Sequence, residues 1–269
     1  MKKLTFTVAG ITLVMLTAQA SAGKIDDIKA RGTLIVGTKA DYKPFGFRDP
    51  SGAIVGIEPD LAADLAKQLG VKLEFVPVVA ANRMEFLKQG KIDLLIATMS
   101  DKPERRKVVE AVDPPYYSDS VNVLASNRAK ITSWEDLKDK PVCATIGSFY
   151  NKSVAEKYGA KIVGLDGSDK PLVALKQGNC VGYLYDQTFI QGKLLDKQWS
   201  ADYSMPLKGI METPWIMAVA PGNDDLRDFV SKATIEWMKK GTIVELEQKW
   251  GITPTDYSKR MHDKYKNQS

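Results

Sequence analysis

Apolar positions along this chain fall into short blocks of two periods. TLIVGT at 33–38 is a β-rich run, and the turn-rich KADYKPFGFRDPSGAIVG follows it. EPDLAADLAKQLG predicts a helix: Leu61, Leu65 and Leu69 share one face, Pro59 suits a first turn, Asp60 and Asp64 are early acids, and Gly70 stops it. VKLEFVPV alternates as a strand, NRMEFLKQG predicts a helix, DLLIATM a buried strand, and PERRKVVE a helix opening at Pro103. This strand-then-helix grammar implies a parallel sheet.

The grammar restarts near Ile131. Ser133 is an N-cap candidate with Asp136 three residues on, a loose capping box. PVCATIGS predicts a strand running into a Gly-Ser turn, NKSVAEKYG a helix stopped by Gly159, KIVGL a strand, KPLVALKQG a helix and CVGYLYD another strand. WIMAVAPG is a further strand, DDLRDFVSKATIEWMKKG and IVELEQKWG are amphipathic helices, and KRMHDKYKNQS is a polar tail in which the sole histidine, His262, reads as solvated. Two such sets predict two α/β lobes, with SVNVLAS (120–126) and WIMAVA (215–220) as the connecting hinge strands. The C-terminal helices return to the first lobe, which gives lobe 1 as 23–121 with 218–269 and lobe 2 as 122–217.

The segment LKQG occurs twice, in LKQGKIDLLIATMS and LKQGNCVGYLYDQT, and setting the copies in register puts Thr98 opposite Asp186. Ligands of open parallel sheets bind at the carboxyl ends of strands. Thr98, Ser100 and Asp186 are strand-end residues, so two lobes can face them across a cleft.

Composition narrows the class. The chain has 269 residues, 44% hydrophobic and 26% charged, as in ordinary globular proteins. Its net charge of +5, two units of it from Lys2 and Lys3, is spread among interleaved acids and gives no support for nucleic-acid binding. The N-terminus carries Lys2 and Lys3, an apolar segment from Leu4 to about Leu16 and the small-residue pattern Ala20-Ser21-Ala22, a secretory signal peptide over 1–22. The apolar segment is shorter than the ~20 residues of a spanning helix. Cys143 and Cys180 are the only cysteines; in an oxidising compartment they suggest a disulfide, with two buried thiols as the other reading. Two cysteines without nearby histidines argue against a zinc site.

Several of these segments together resemble the family 3 extracellular solute-binding proteins, the amino-acid receptors of bacterial ABC importers. GIEPDLAADLAKQL is similar to the family signature, with Pro59 in place of the usual aliphatic residue. VGTKADYKPFGF resembles the aromatic loop, ATMSDKPERRKVV the hydroxyl-and-arginine motif, DPPYYS the approach to the hinge, GSFYNK the anion loop of the second lobe, and YLYDQ the ammonium-binding aspartate. The motifs run in the family order over essentially the whole mature chain. The resemblance implies the type II periplasmic binding protein fold, location in the periplasm, a monomer, no cofactor, no metal and no catalytic residue. It further implies capture of an amino acid by hinge closure and delivery to an ABC transporter permease in the inner membrane.

The implied site residues make chemical sense. Arg105 offers a permanently charged, bidentate donor to an α-carboxylate. Backbone N–H groups around Ser148 and Phe149 complete the carboxylate site, although the family usually has a small hydroxyl residue where Phe149 stands. Asp186 supplies the countercharge for the ammonium group, or caps a helix, with Thr98 and Ser100 as neutral acceptors. Tyr42 and Phe45 cover the aliphatic part of the ligand, or are aromatics of the core. Lys39 and Arg83 lean toward glutamate or aspartate, ahead of other polar amino acids; the other reading makes Arg83 structural, since the Asn82-Arg83 pair also resembles that of family members for uncharged or sulfur-containing amino acids. Two other readings use the same scaffold: a cyclohexadienyl-dehydratase-like enzyme, for which a positioned general acid is needed, and a periplasmic amino-acid sensor.

Overall fold

The computed structural model describes residues 23–268, so the signal peptide expected over 1–22 lies outside the described residues. Eight strands run across one sheet in the order Lys72–Pro77, Thr33–Thr38, Leu94–Ser100, Ile210–Val219, Glu110–Ser126, Gly182–Asp186, Pro141–Thr145, Lys161–Leu165, and the short strand Tyr203–Ser204 pairs beside Glu110–Ser126. The first three are mutually parallel, as are the last three. Between them, Ile210–Val219 and Glu110–Ser126 pair antiparallel to each other, and each also pairs with the triad beside it. Two parallel triads joined by two antiparallel crossing strands make two α/β lobes with a hinge.

The triads turn their carboxyl ends toward each other: Thr98 and Ser100 at the end of one central strand and Asp186 at the end of the other line the same cavity. All seven residues of Leu94–Ser100 are buried, as expected of a central parallel strand covered on both faces. One core cluster around Leu61, Leu65, Val230 and Trp237 packs the helices Ile57–Leu69 and Asp224–Lys240 on one side of the first sheet. A second cluster, with Leu87, Leu95, Ala97 and Ile216, fills the other side under the helix Arg83–Lys88. In the second lobe a disulfide joins Cys143 and Cys180, with Cα atoms 5.6 Å apart.

Several sequence expectations change. The helix at Pro103 spans only Pro103–Arg106, since the β-branched Val108 and Val109 lead directly into the hinge strand. That strand is 17 residues long and runs through Pro114 and Pro115. The turn-rich loop holds a small antiparallel sheet of Asp41–Tyr42, Gly46–Arg48 and Ile54–Val55. The polar tail is a helix, Asp256–Tyr265. Its His262 is half-buried, with Nδ1 2.8 Å from Met238 O at the end of the preceding long helix, and is therefore not a freely solvated side chain. Glu247 draws the tail inward: it is fully buried and accepts hydrogen bonds from the Tyr117 hydroxyl at 2.8 Å, from Thr255 N at 3.2 Å and from the Ser258 hydroxyl. The Tyr257 hydroxyl donates to Pro115 O at 2.8 Å, so the tail helix is fastened to a hinge strand.

Candidate functional site

The cleft lies where the two sets of strand ends meet. Thr98 and Ser100 end one central strand and Asp186 ends its counterpart, and all three line one cavity. Arg105 reaches it from the one-turn helix after Ser100, Arg83 from the start of its helix, and Lys39 from the turn after Thr38. Ser148 and Phe149 enter from the loop that precedes the helix Tyr150–Tyr158. Eight of the ten ligand-contact candidates thus line one cavity, from both lobes. Tyr42 stands behind it, its hydroxyl donating to Asp186 Oδ2 at 3.0 Å. Phe45 does not line the cavity; its ring packs against Tyr117 and Trp215 with centroids 4.9 Å away in each case.

The lobes are closed on each other. Across the cleft Lys39 Nζ donates to the Tyr185 hydroxyl at 2.6 Å, Arg105 Nη2 to Gly147 O at 3.1 Å, and Ser168 N to Asp41 Oδ2. Lys102 Nζ stands 3.8 Å from the centroid of the Phe149 ring, a cation–π contact at the rim. The enclosed volume is about 10 Å³, room for roughly one water molecule. Entry of anything larger requires the lobes to part.

Local geometry shows how the first lobe holds its half of the site. Thr98 has φ +46°, a left-handed conformation that costs a β-branched residue on the order of 1–3 kcal/mol. Both sides of its peptide group are clamped. Glu58, fully buried, accepts Thr98 N–H at 2.7 Å and the Tyr116 hydroxyl, while Arg83 Nη1 donates to Ala97 O. Glu58 sits in the GIEPD segment, and its role could have been suspected only from an acid placed among apolar helix positions.

Charge is concentrated here. Burial lowers Lys39, with Asp41 opposing it, and burial lowers Arg83. Burial likewise brings Arg105 down to about 10, so it stays charged at neutral pH. Asp186 is raised by burial, against which Lys39 and the Tyr42 hydroxyl favour its ionised form. Three basic residues, Lys39, Arg83 and Arg105, therefore gather with three acidic ones, Asp186 in the cavity lining and Asp41 and Glu58 close to Lys39, and burial raises Glu58 as it raises Asp186. Arg105 Nη1 also donates to Ser100 O at 2.9 Å. The Ser148 backbone N–H is taken by Thr145 O at 3.2 Å, which moves any backbone anion contact onto Phe149 and the first turn of the helix after it.

Sequence reasoning missed Ala80, Tyr150 and Tyr185, which also line the cavity. Tyr185 adjoins Asp186 at a strand end and Tyr150 opens a helix two residues after Ser148; those positions were the available signals. Among the described residues no cluster of His, Cys, Asp and Glu could hold a metal ion, and no helix is long and apolar enough to cross a membrane.

Two α/β lobes closing strand ends over a buried arginine and aspartate define a two-lobed solute-binding fold. Residues 34–253 match the family model of bacterial extracellular solute-binding proteins, family 3, and the chain belongs to that family. It is 29% identical over 261 residues to a probable amino-acid ABC transporter-binding protein of Haemophilus influenzae, covering 93% of this chain and 97% of the relative. The solved receptor for L-cysteine of Neisseria gonorrhoeae superposes with a TM-score of 0.79 at 28% identity, covering 86% of this chain and 94% of that one. An ancestral amino acid-binding protein described as a precursor of cyclohexadienyl dehydratase gives 0.75 at 32% identity, covering 84% and 98%. Other relatives are named for cystine, glutamine, arginine and histidine, and none of these names is an acidic amino acid.

Proposed function

We propose that this protein captures a polar amino acid as its zwitterion and delivers it to an ABC transporter permease of the inner membrane. The observation that carries the reading is the pairing, within one closed cavity, of Arg105 on one lobe with Asp186 on the other. Arg105 takes the α-carboxylate and Asp186 the ammonium group, with Thr98 and Ser100 as further acceptors. These contacts from both lobes exist only when the lobes meet, so ligand shifts the population toward closure. The names of the relatives support the transport role, and the signal-peptide pattern expected over 1–22 supports a periplasmic location for the mature monomer. Lobe 1 takes 23–121 and 218–269 and lobe 2 takes 122–217, a division supported by the pairing of Ile210–Val219 with the first-lobe strand Leu94–Ser100 from Trp215 onward.

The side chain of the ligand is uncharged in this reading. Lys39 and Arg83 lean toward glutamate or aspartate when counted alone, but Asp41 and Glu58 offset them, and Arg83 Nη1 is engaged by Ala97 O. A neutral polar amino acid adds no net charge to this buried cluster of three basic and three acidic side chains. Binding is favoured over dehydratase chemistry because the curated relatives are named as binding proteins, and because Asp186 faces Arg105 in the cavity in the arrangement that suits a zwitterion's two charged groups. Thermal unfolding of ligand-stripped protein against the twenty amino acids tests this. A ligand at a thousand times its Kd adds about 4 kcal/mol of stability. A shift with glutamine or another neutral polar amino acid supports the reading; a shift with glutamate or aspartate alone restores Lys39 and Arg83 as an anion subsite; no shift with any amino acid sinks the receptor assignment.

A further inference from the structure

Six tyrosines in the described residues are 2% exposed or less: Tyr42, Tyr116, Tyr117, Tyr150, Tyr183 and Tyr185. Five have partnered hydroxyls. Tyr42 meets Asp186 at 3.0 Å, Tyr117 meets Glu247 at 2.8 Å, Tyr183 meets Thr145 Oγ1 at 2.8 Å, Tyr185 meets Lys39 Nζ at 2.6 Å, and Tyr116 meets Glu58. The Tyr150 hydroxyl alone makes no hydrogen bond of good geometry, although the Ser148 and Asp186 side chains lie close to it. A buried polar group without a partner destabilises the fold that contains it, so each such group in a native structure calls for an explanation.

Its position offers one. Tyr150 lines the cavity together with Arg105, Ser148 and Asp186, and it opens the nine-residue helix Tyr150–Tyr158, whose first N–H groups lie at the same end. The guanidinium and the helix terminus both favour an anion beside it. We infer that Tyr150 is a ligand-binding residue whose hydroxyl donates a hydrogen bond to the α-carboxylate of the captured amino acid, next to Arg105. Burial, and then the charge of Asp186, push its phenol well above the usual tyrosine range, so it stays protonated and acts as a donor. The inference rests on the amino-acid reading above.

Tyr150→Phe keeps the ring and removes only the hydroxyl. The measurement is a pair: the Tm of ligand-free protein, and the Kd by titration calorimetry for whichever amino acid stabilises the wild type most. The expected result is an unchanged or higher Tm, because an unpaired buried hydroxyl is gone, with affinity weakened tenfold or more, the scale of a hydrogen bond to a charged group. A purely structural hydroxyl, bonded for example to Asp186 or Ser148, would give a lower Tm with affinity little changed. Affinity within threefold of wild type overturns the inference while leaving the receptor reading intact. A wild type that responds to no amino acid overturns both.

Discussion

Gly147→Ala separates closure of the lobes from stability of the fold. Gly147 has φ +86°, and a Cβ built on it would lie 2.8 Å from Ala80 C and 2.9 Å from both Ala80 O and Ala81 N. Gly147 follows the second-lobe strand Pro141–Thr145, whereas Ala80 and Ala81 follow the first-lobe strand Lys72–Pro77. The overlap therefore belongs to the closed arrangement alone. Alanine also meets the left-handed backbone penalty, about 1–2 kcal/mol, but that cost falls on open and closed forms alike. At about 2–4 °C per kcal/mol for a chain of this size it lowers Tm by a few degrees. Ordinary Cβ contacts begin near 3.4 Å, so the cleft must back off at this point or its neighbours must strain. Overpacking of this kind costs about 1–3 kcal/mol, equivalent to a factor of about 5–150 in the closing equilibrium. Calorimetric titration should show affinity falling by that factor, and small-angle scattering should show a variant that remains extended in the presence of ligand. Wild-type affinity and compaction in a folded Gly147→Ala protein would refute the closed geometry at this contact.

Arg105→Ala leaves a buried carboxylate unpaired and should weaken ligand binding by about 2–5 kcal/mol; a loss below tenfold in Kd would remove Arg105 from the carboxylate site. The Cys143–Cys180 bond spans 37 positions in sequence, and opening a loop of that length costs about 4 kcal/mol. The Cys143→Ser/Cys180→Ser protein should therefore unfold at a markedly lower temperature than wild type under non-reducing conditions. Asp119, whose carboxylate accepts Thr188 N–H at 3.0 Å and the Thr188 hydroxyl at 2.6 Å, is pushed up to about 8 by burial and then by the charge of Asp186. Its folded-state value lies above the unfolded value of 3.8, so the folded form binds more protons between those limits and this group's contribution to stability declines as pH rises through them. Denaturant midpoints at pH 5 and pH 8 should differ less in Asp119→Asn than in wild type, and an equal difference would contradict the assignment.

Much of the candidate site was legible, in that residues the structure brings to one cavity announce themselves at strand ends. Thr98, Ser100 and Asp186 close apolar runs, and the repeated LKQG places them in matching positions of two similar units. Helices ended by glycine were equally readable, as with Gly70 and Gly159, both left-handed caps. The misses share a different cause. Phe45 is as aromatic as Tyr42 and lies three positions away, yet only the packing of Trp215 and Tyr117 from distant strands decides that it faces the core. His262 and the tail helix carry no long apolar stripe; they are ordered by long-range contacts from Glu247 and Met238. Local pattern has no access to partners more than a hundred residues away, such as Tyr117 with Glu247. The acidic ligand preference failed to gather support for a related reason: counting Lys39 and Arg83 without Asp41 and Glu58 leaves out half of the local field.

The order of strands also bears on how the chain acquires its shape during synthesis. The second lobe's parallel triad is complete once Gly182–Asp186 has emerged, and all of its strands lie in one continuous stretch. The first lobe is assembled from both ends of the polypeptide: its sheet awaits Ile210–Val219 and its core awaits the helix Asp224–Lys240. Pairings so far apart in sequence are slow to form because the intervening loop must first be closed. A nascent chain halted after residue 209 thus contains a second lobe able to condense and a first lobe with an exposed sheet face. Such a half-finished molecule is the species that aggregation would capture and that a chaperone would need to cover.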